Sequence, residues 1–303
     1  MAYRHDNVLV VGLGLIGGSL ARALRESGFC QRLTGYGHRA PSLQRGVELG
    51  VIDAYTLDLD EALADADVVV LCAPTLTVEA MLEDVLSRVA LAGRSIVVTD
   101  AASVKGNLHQ RALSLSGGVM PPSLVLAHPI AGSEHSGVDA SRADLYRDHR
   151  VILTPVEGND DAAVDVVRRM WLSAGAEVVD MSVEQHDLVL AATSHLPHVL
   201  AYALVDALAG SEHGQDIFRY AAGGFRDFTR IASSDPVMWR DISLANQAAL
   251  LSALDVFSEH LARLREAIAA KDGQQLESTF ASAKDARDAF AQELAQRSGN
   301  PAG

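Results

Sequence analysis

The sequence Val8-Leu-Val-Val-Gly12-Leu-Gly14-Leu15-Ile16-Gly17-Gly-Ser19 places a short apolar run before a glycine-rich turn and a helical run. This order of strand, G-x-G-x-x-G turn and helix is typical of the first unit of a dinucleotide-binding fold. Gly12 permits the tight turn, Gly14 lets the backbone approach a pyrophosphate, and Gly17 lets the helix pack closely on the strand. The helix N-terminus would face the phosphates. The residues expected to bind the dinucleotide are Gly12, Gly14, Leu15, Ile16 and Gly17.

The same segment has a second interpretation, a secretory signal, because Arg4 precedes the apolar run and Ala21-Arg-Ala23 resembles a cleavage site. Four glycines between residues 12 and 18 would make an unusual apolar core for a signal, which favours the nucleotide-binding turn. No apolar run approaches the ~20 residues needed to span a bilayer. Cys30 and Cys72 lie in predicted strands or at strand edges and are interpreted as core side chains in a reducing compartment. We therefore expect a cytoplasmic protein.

The charge of the chain limits its partners. The 303 residues carry 25 Lys and Arg against 39 Asp and Glu, a formal net charge of −14. Nucleic acid and anionic membranes would both require a basic face, so neither is an expected partner. An anionic small molecule would instead require positive side chains gathered locally. Lysine occurs only at Lys105, Lys271 and Lys284.

Short β-branched runs alternate with helical runs from Val8 to about Ser182. The predicted strands after the first are residues 33–37, 68–73, 95–99, 124–127, 151–154 and 177–180. Such alternation is typical of an α/β fold with a mostly parallel, Rossmann-type sheet and helices on its faces. After Ser182 the β signal disappears and alanine- and leucine-rich periodic runs follow. We predict a dinucleotide-binding domain at residues 1–182 and an all-helical substrate and dimerisation domain at residues 183–303.

An apolar stripe marks the longest run of the second domain. Its members recur at spacings of 4, 3, 4, 3 and 4 residues: Leu250, Leu254, Phe257, Leu261, Leu264 and Ile268. This period places them on one helix face. The face fits either the core of the domain or an interface between two copies of the chain, and the spacing leaves both interpretations open.

The end of the second predicted strand bears on the choice of nicotinamide cofactor. An NAD-binding fold usually places Asp or Glu there, about twenty residues beyond the glycine turn, against the ribose hydroxyls. This chain has Gly37-His38-Arg39 instead. Arg39, with His38, suits the 2′-phosphate of NADP, although an arginine in such a turn is also common as a solvated surface residue. NAD and NADP both stay open on this pattern.

Two polar stretches follow predicted strands, at the sheet edge where open α/β proteins bind ligands. In the first, Asp100-Ala-Ala-Ser103-Val-Lys105, Ser103 suits either a ligand contact or an ordinary helix N-cap. The second begins at His128 and continues through Pro129 to Gly132. A histidine held at the carboxyl end of a strand is well placed to act as a general base, although a lone histidine is more often structural.

A third polar stretch, Ser194-His195-Leu-Pro197-His198, interrupts an apolar helix. Pro197 cannot donate to the carbonyl of residue 193, so we expect a kink that exposes polar backbone. The two histidines share a helix face, but no metal is expected because no cysteine is near and the local acids lack ligand spacing. Further on, Arg226 and Arg230 form a fork suited to a carboxylate, or else pair with nearby acids on the surface.

Five motifs in this order resemble the prephenate and arogenate dehydrogenase family of tyrosine biosynthesis. They are the turn from Gly12 to Ser19, Asp100-Ala-Ala-Ser103-Val-Lys105, His128-Pro-Ile-Ala-Gly132-Ser-Glu134, Ser194-His195-Leu-Pro-His198 and Gly224-Phe-Arg-Asp-Phe-Thr-Arg230-Ile-Ala. The resemblance covers nearly the whole chain, from Val8 to about Asn246. It implies oxidative decarboxylation of a cyclohexadienol, prephenate or arogenate, with hydride transfer to NAD or NADP. It also implies a helical second domain that forms a homodimer.

The resemblance implies a role for each candidate residue. His128 would accept the proton of the ring hydroxyl, and Ser103 would orient that hydroxyl and the nicotinamide. Arg230 would bind the ring carboxylate, while His195 and His198 would hold the side-chain end of the substrate. The chain departs from the family at the second strand, where members that use NAD often carry an acid.

Two other functions fit part of the pattern. A β-hydroxy-acid dehydrogenase has a similar two-domain plan, but its site resembles those built on a lysine in the helical domain, and no lysine occurs between Lys105 and Lys271. A non-catalytic NAD(P)-sensing regulator would need the nucleotide turn but not His128 and Arg230 together. The resemblance to prephenate and arogenate dehydrogenases accounts for more of the sequence than either of these two functions.

Overall fold

A parallel six-stranded sheet forms the core of the first part of the chain. The computed structural model describes residues 5–132, 135–211 and 214–297. The strands are β1 (His5–Val11), β2 (Cys30–Tyr36), β3 (Ala54–Thr56), β4 (Val68–Leu71), β5 (Val97–Asp100) and β6 (Leu124–Val125). They lie in the order β3-β2-β1-β4-β5-β6, and every neighbouring pair is parallel. The predicted mostly parallel, Rossmann-type sheet is confirmed.

Helices cover both faces of this sheet because successive strand residues point to opposite sides. They are α1 (Leu15–Ser27), α2 (Ala40–Glu48), α3 (Leu59–Leu63), α4 (Thr75–Leu91), α5 (Gly106–Leu115) and α6 (Asp161–Ser173). On one face, Val8 and Val10 of β1 join buried side chains of α1 and α6. On the other, Leu9 and Val11 join buried side chains of α4 and α5. Burying each of these four side chains stabilises the fold by about 1.5–3 kcal/mol.

A second sheet of three strands follows the first along the chain. It contains β7 (Ala127–Pro129), β8 (Arg150–Leu153) and β9 (Glu177–Asp180), with β7 antiparallel and β9 parallel to β8. The single strand predicted at residues 124–127 is therefore wrong, because the chain forms β6 in one sheet and β7 in the other, separated by Leu126. The Leu126 carbonyl accepts the backbone N–H of Thr154 at 3.0 Å, which holds the chain at this switch. Strand β3 has no predicted counterpart because three residues are too few to show alternation.

The remaining elements are helical. They are α7 (Val183–Leu190), a π-helical turn (Ala191–His195), α8 (Leu196–Ala209), α9 (Gly214–Arg219), α10 (Gly223–Thr229), α11 (Pro236–Ala245), α12 (Gln247–Ala269) and α13 (Gly273–Arg297). Helices α7 and α8 continue through the π-helical turn, and this run, Val183–Ala209, is long and apolar enough by length and composition to cross a membrane. The expectation that no apolar run approaches that length is wrong for this helix, because its polar residues are too few to bring its mean hydropathy below 1.6 over 18 residues. One such helix is weak evidence for a membrane segment.

The chain divides into two compact units, residues 1–250 and residues 251–303. The first contains both sheets and the helices up to the start of α12, and the second contains the rest of α12 and α13. A boundary between domains after Ser182 stays a prediction. Along the apolar stripe of α12, Leu250 is buried, but Leu261 is 55% and Ile268 is 63% exposed.

Candidate active site

The glycine turn after β1 has the backbone geometry that the sequence predicts for a dinucleotide site. Gly12 has a φ of +91°, and a Cβ at this position would lie 2.8 Å from the carbonyl oxygen of Cys72. A Cβ at Gly17 would lie 2.3 Å from the Gly12 carbonyl oxygen and 2.9 Å from Val10. Both positions therefore require glycine, one for its conformation and both for close packing.

Helix α1 presents open backbone donors at this turn. Gly14 is its N-cap and makes no side-chain capping bond, and the first turn contains no acidic residue. A Cβ at Gly14 would meet no atom within 4 Å, so the space beside the turn is free of described protein atoms. Leu15 and Ile16, also predicted to contact the cofactor, begin the helix and are half-buried. These residues fit a dinucleotide, since uncapped N–H groups at a helix N-terminus bind phosphate.

The end of β2 carries basic side chains. Strand β2 ends at Tyr36, and both His38 and Arg39 are exposed just beyond it. The rings of Tyr36 and His38 meet edge to face at 6.2 Å. Arg39 is the N-cap residue of α2 and makes no side-chain capping bond. This edge therefore offers a cationic group where a carboxylate would discriminate for NAD.

His128 lies in β7, directly after the switch between the sheets, and is 8% exposed. Its Nδ1 is 2.9 Å from Nε2 of His186 in α7. The Nδ1 of His186 is in turn 2.8 Å from the carboxylate of Asp187. The structure thus joins a predicted base to two residues that the sequence interpretation missed. Among the described residues, His128 Nε2 has no hydrogen-bond partner.

The Asp187 carboxylate is held by the N-terminus of α5. One oxygen accepts the backbone N–H of Lys105 at 3.0 Å, and the other accepts that of Gly106 at 2.8 Å. Burial acts to raise the pKa of Asp187, but hydrogen bonds from His186 and from these backbone groups outweigh it and lower that pKa. Asp187 is therefore an anion at neutral pH.

A buried ion pair contacts the backbone of Ala127, the residue before His128. The Lys105 ammonium and the Asp100 carboxylate are both fully buried and form a hydrogen bond, and the ammonium also donates to the carbonyl of Ala127 at 2.6 Å. Asp100 accepts the backbone N–H groups of Ala102 at 2.8 Å and of Ala127 at 3.2 Å. This pair fixes the loop after β5 against the strand that carries His128.

The environment of His128 keeps its imidazole neutral. Burial lowers the pKa of His128 well below its usual value, and the neighbouring His186, Lys105 and His195 act in the same direction. Burial also lowers the pKa of His186, although its hydrogen bond to Asp187 opposes the change. A neutral imidazole is the form that can accept a proton.

Ser103 lies in the loop between β5 and α5, two residues before Lys105. It is half-buried, and its backbone N–H donates to Thr75 Oγ1 at 3.3 Å. It is not the N-cap of α5, which is Lys105. The helix-capping interpretation of Ser103 is therefore wrong, because α5 begins later than the sequence suggests.

His195 occupies the π-helical turn and is 1% exposed. The amide nitrogen of Asn246 lies 2.8 Å from the carbonyl oxygen of Asp187 and 3.1 Å from His195 Nδ1. Since a carbonyl oxygen only accepts, this amide nitrogen is a donor, and His195 Nδ1 accepts from it. Burial lowers the pKa of His195 to about 4, so the ring is neutral and carries its proton on Nε2.

His198 has the opposite arrangement. Its Nδ1 donates to the Ser194 carbonyl at 2.8 Å, so a neutral His198 accepts at Nε2. The ring stacks on Trp239 with centroids 3.5 Å apart. Burial lowers the pKa of His198, and the charge of Arg230 lowers it further. His195 and His198 therefore offer one donor and one acceptor.

Arg230 begins a short 3-10 helix after α10 and is exposed. The charge of Arg230 lowers the pKa of His198. His198 in turn lowers the pKa of His195, and His195 lowers that of His128. Each of the four predicted residues therefore acts on the charge of the next. Arg226 instead pairs with Asp227 at 3.3 Å, with 81% of its side chain exposed. The predicted arginine fork therefore separates into Arg230 near the histidines and Arg226 on the surface.

Three polar side chains of this region were absent from the predicted site: His186, Asp187 and Asn246. A signal for the first two exists in the sequence, because an adjacent histidine and acid directly precede the apolar end of α7. No local pattern marks Asn246, whose importance depends on contacts with residues more than fifty positions away. Among the described residues, no group of three or more His, Cys, Asp and Glu side chains could hold a metal ion.

The parallel sheet and the glycine turn define a Rossmann-type dinucleotide-binding protein, and the buried, hydrogen-bonded histidines form its candidate polar site. Comparison with known families then gives two matches. The model described as prephenate dehydrogenase, nucleotide-binding domain, matches residues 20–180, and the one described as prephenate dehydrogenase, dimerization domain, matches residues 182–282. The chain belongs to the prephenate dehydrogenase family.

Individual relatives agree with this assignment. The chain is 39% identical to a cyclohexadienyl dehydrogenase of Zymomonas mobilis, over 94% of this chain and 95% of that protein. It is similar to the crystal structure of prephenate dehydrogenase from A. aeolicus in complex with hydroxyphenyl propionate and NAD+. The TM-score is 0.87 and the identity is 37%, over 96% of this chain and 100% of that one. It is also similar to the crystal structure of Synechocystis arogenate dehydrogenase, with a TM-score of 0.77 and 29% identity over 94% of this chain and 99% of that one.

Proposed function

We propose that this protein catalyses the oxidative decarboxylation of prephenate or arogenate, with hydride transfer to NAD+ or NADP+, in tyrosine biosynthesis. The product would be 4-hydroxyphenylpyruvate from prephenate and tyrosine from arogenate. The observation that carries the proposal is the buried, neutral His128 whose Nδ1 is hydrogen-bonded and whose Nε2 has no partner among the described residues. Family membership and the relatives described above support the same reaction.

In this proposal, His128 Nε2 accepts the proton of the ring hydroxyl as hydride leaves the same carbon. When bound, the nicotinamide supplies the hydride acceptor. The bond from the ring to its carboxylate then breaks and CO2 departs. The electron pair of that bond makes the ring aromatic and leaves the former hydroxyl oxygen as a phenolate, which takes the proton back from His128. Ser103, near the Lys105 and Asp100 pair, orients the hydroxyl. A general base of this kind contributes about 10² to 10⁴ in rate.

Local charge explains how an acidic protein would hold a dianionic substrate. Arg230 binds the ring carboxylate through charge-assisted hydrogen bonds, and the Nε2–H of His195 donates to the side-chain end of the substrate. His198 would accept at Nε2, or donate there once protonated. A keto side chain offers only acceptors and an ammonium only donors, so this pair of histidines does not by itself choose between prephenate and arogenate.

We propose that the enzyme accepts NADP+ as well as NAD+. No carboxylate stands at Gly37-His38-Arg39 to repel a 2′-phosphate, and Arg39 and His38 are exposed there. A steady-state assay of both substrates with both cofactors, followed by the absorbance of the reduced nicotinamide, tests the activity and this choice together. No reduction in any of the four combinations would contradict the proposed reaction and favour a nucleotide-sensing role.

We also propose a cytoplasmic homodimer. The partly exposed apolar stripe of α12 fits an interface with a second copy, as do Phe280, Phe290 and Leu294 of α13, which are 58%, 53% and 42% exposed. The matched dimerization-domain model supports this assembly. Light scattering after size-exclusion chromatography tests it, and a single species at the 32.1 kDa mass of one chain would contradict it.

A further inference from the structure

We propose that Asp187 and His186 are positioning residues that hold His128 in the tautomer with its proton on Nδ1, so that Nε2 is the atom that accepts the substrate proton. The inference rests on the proposed role of His128 as the base. It assigns to two residues outside the five recognised motifs a function in the reaction, through hydrogen bonds rather than through contact with substrate.

The carboxylate of Asp187 contacts three nitrogens. Two of them are the backbone N–H groups of Lys105 and Gly106, at 3.0 and 2.8 Å, and these can only donate. The carboxylate is ionised and accepts from both. The third nitrogen, Nδ1 of His186 at 2.8 Å, therefore also donates, because an ionised carboxylate has no proton to give.

The position of the next proton follows from the chemistry of imidazole. A neutral imidazole carries one N–H, so His186 with its proton on Nδ1 has only a lone pair at Nε2. His128 Nδ1 lies 2.9 Å from that lone pair and must donate to it. The proton of neutral His128 is then on Nδ1, and its Nε2 carries the lone pair that a general base requires.

The groups around the two rings favour this neutral arrangement before the reaction. Lys105 contributes a positive charge from the loop before α5, balanced by Asp100 of β5, and His195 approaches from the π-helical turn. The positive charge opposes a second proton on the imidazole pair. When His128 accepts the substrate proton, the Asp187 anion, acting through His186, stabilises the imidazolium that forms.

The substitution Asp187→Asn tests the inference at its origin. An asparagine has one accepting oxygen and one amide that only donates, so it cannot accept from all three nitrogens. If the amide turns toward His186, the ring shifts its proton to Nε2 and His128 is forced into the wrong tautomer. We expect kcat to fall by about 10² to 10⁴. The same change of the aspartate in a serine-protease triad lowers kcat by about 10⁴ because the histidine takes the wrong tautomer. We expect KM for the substrate and the Kd for NAD+, measured by fluorescence, to stay within about threefold.

Two further substitutions separate positioning from general structure. Asp58→Asn is the matched control, since Asp58 also accepts two backbone N–H groups at a helix N-terminus, at 2.8 and 3.1 Å, but contacts no histidine. It should leave kcat unchanged. His186→Gln retains an amide oxygen that can accept from His128 Nδ1, whereas His186→Leu does not. Greater activity in the glutamine variant than in the leucine variant is expected, and equal activity of the two would contradict the hydrogen-bond role.

Nitrogen NMR of ¹⁵N-histidine-labelled wild-type protein gives a readout that does not need turnover. The His128 resonances, assigned by their loss in His128→Gln, should show a proton on Nδ1 and an unprotonated Nε2 near neutral pH. A proton on Nε2 would overturn the inference, whether or not the protein is an active dehydrogenase. The expected tautomer in a protein that does not turn over prephenate or arogenate would leave the inference standing and contradict only the proposed reaction.

Discussion

His128 Nδ1 and His186 Nε2 lie 2.9 Å apart although 58 residues separate them in the chain. The first histidine belongs to the short strand that begins the second sheet, and the second belongs to helix α7. The contact therefore depends on the change of sheet at Leu126. It also depends on Lys105, whose backbone N–H donates to Asp187 in α7 and whose ammonium donates to the Ala127 carbonyl in β7. The proposed base is placed by tertiary structure, and its neighbours determine which nitrogen can react.

Replacement of His128 tests the base directly. In His128→Ala we expect kcat to fall by about 10² to 10⁴, because the substrate hydroxyl loses its proton acceptor. The Kd for NAD+, measured by fluorescence titration, should change little, since the predicted dinucleotide contacts at residues 12–17 and 38–39 do not include His128. Near-normal turnover would remove His128 from the mechanism.

Arg230 is the proposed carboxylate contact. Loss of a charge-assisted hydrogen bond in Arg230→Ala should weaken substrate binding by about 1.5–3 kcal/mol, which is roughly tenfold or more in KM. Arg226→Ala is the matched control, because Arg226 lies four residues earlier and pairs with Asp227 on the surface. Steady-state kinetics of the two variants should differ in KM. An equal KM in both would point to a different anion site.

The basic end of β2 should control affinity for the phosphorylated cofactor. In Arg39→Ala we expect the Kd for NADP+ to rise by about tenfold or more, and that for NAD+ to stay within about twofold, because only NADP+ carries a 2′-phosphate. Arg32→Ala removes the same charge from an exposed position earlier in β2, where Arg32 pairs with Asp65. Isothermal titration should show no selective loss there. A uniform loss for both cofactors in Arg39→Ala would contradict the assigned contact.

Buried histidines should make the fold sensitive to mild acid. The pKa of His195 is about 4 in the folded protein and about 6.5 in an unfolded chain, so between these two values the unfolded chain binds more protons. Stability from this residue is complete above pH 6.5 and falls as the pH is lowered, by about 2 kcal/mol at pH 5. Burial lowers the pKa values of His128 and His186 as well, which acts in the same direction.

Urea unfolding at pH 7 and pH 5 measures this effect. The His195→Asn variant should show a smaller loss of unfolding free energy between the two pH values than the wild type. His260→Asn serves as the control, since His260 is exposed on α12. The explanation is wrong if His195→Asn and wild type lose the same free energy on acidification.

The sequence predicts the sheet and the nucleotide turn well because their signals are local. The strand before Gly12, the glycine spacing and the helix after it occupy one continuous segment, and the structure retains each. The strand at residues 124–127 fails because a change of sheet at Leu126 leaves no mark in an apolar run. Its correct position depends on a hydrogen bond to Thr154, almost thirty residues later.

The residues of the candidate site likewise differ in whether a local sequence signal marks them. His128, His195, His198 and Arg230 stand in polar stretches that local pattern and family resemblance both indicate. His186, Asp187 and Asn246 derive their importance from partners that are distant in the chain, and no spacing rule connects them. The tautomer of each histidine is determined by such distant partners. The sequence can therefore indicate which histidines belong to the site, but not the direction of their hydrogen bonds.

The proposed reaction makes a quantitative demand on its products. Incubation of the wild-type protein with limiting prephenate and excess NAD+, followed by measurement of reduced nicotinamide, CO2 and 4-hydroxyphenylpyruvate, tests it most directly. The account predicts all three in equal amounts, because hydride transfer and loss of the ring carboxylate occur on the same substrate molecule. If the result holds only for arogenate, with tyrosine as product, the reaction stands. Reduced nicotinamide without CO2, or no reduction with either substrate, would contradict it.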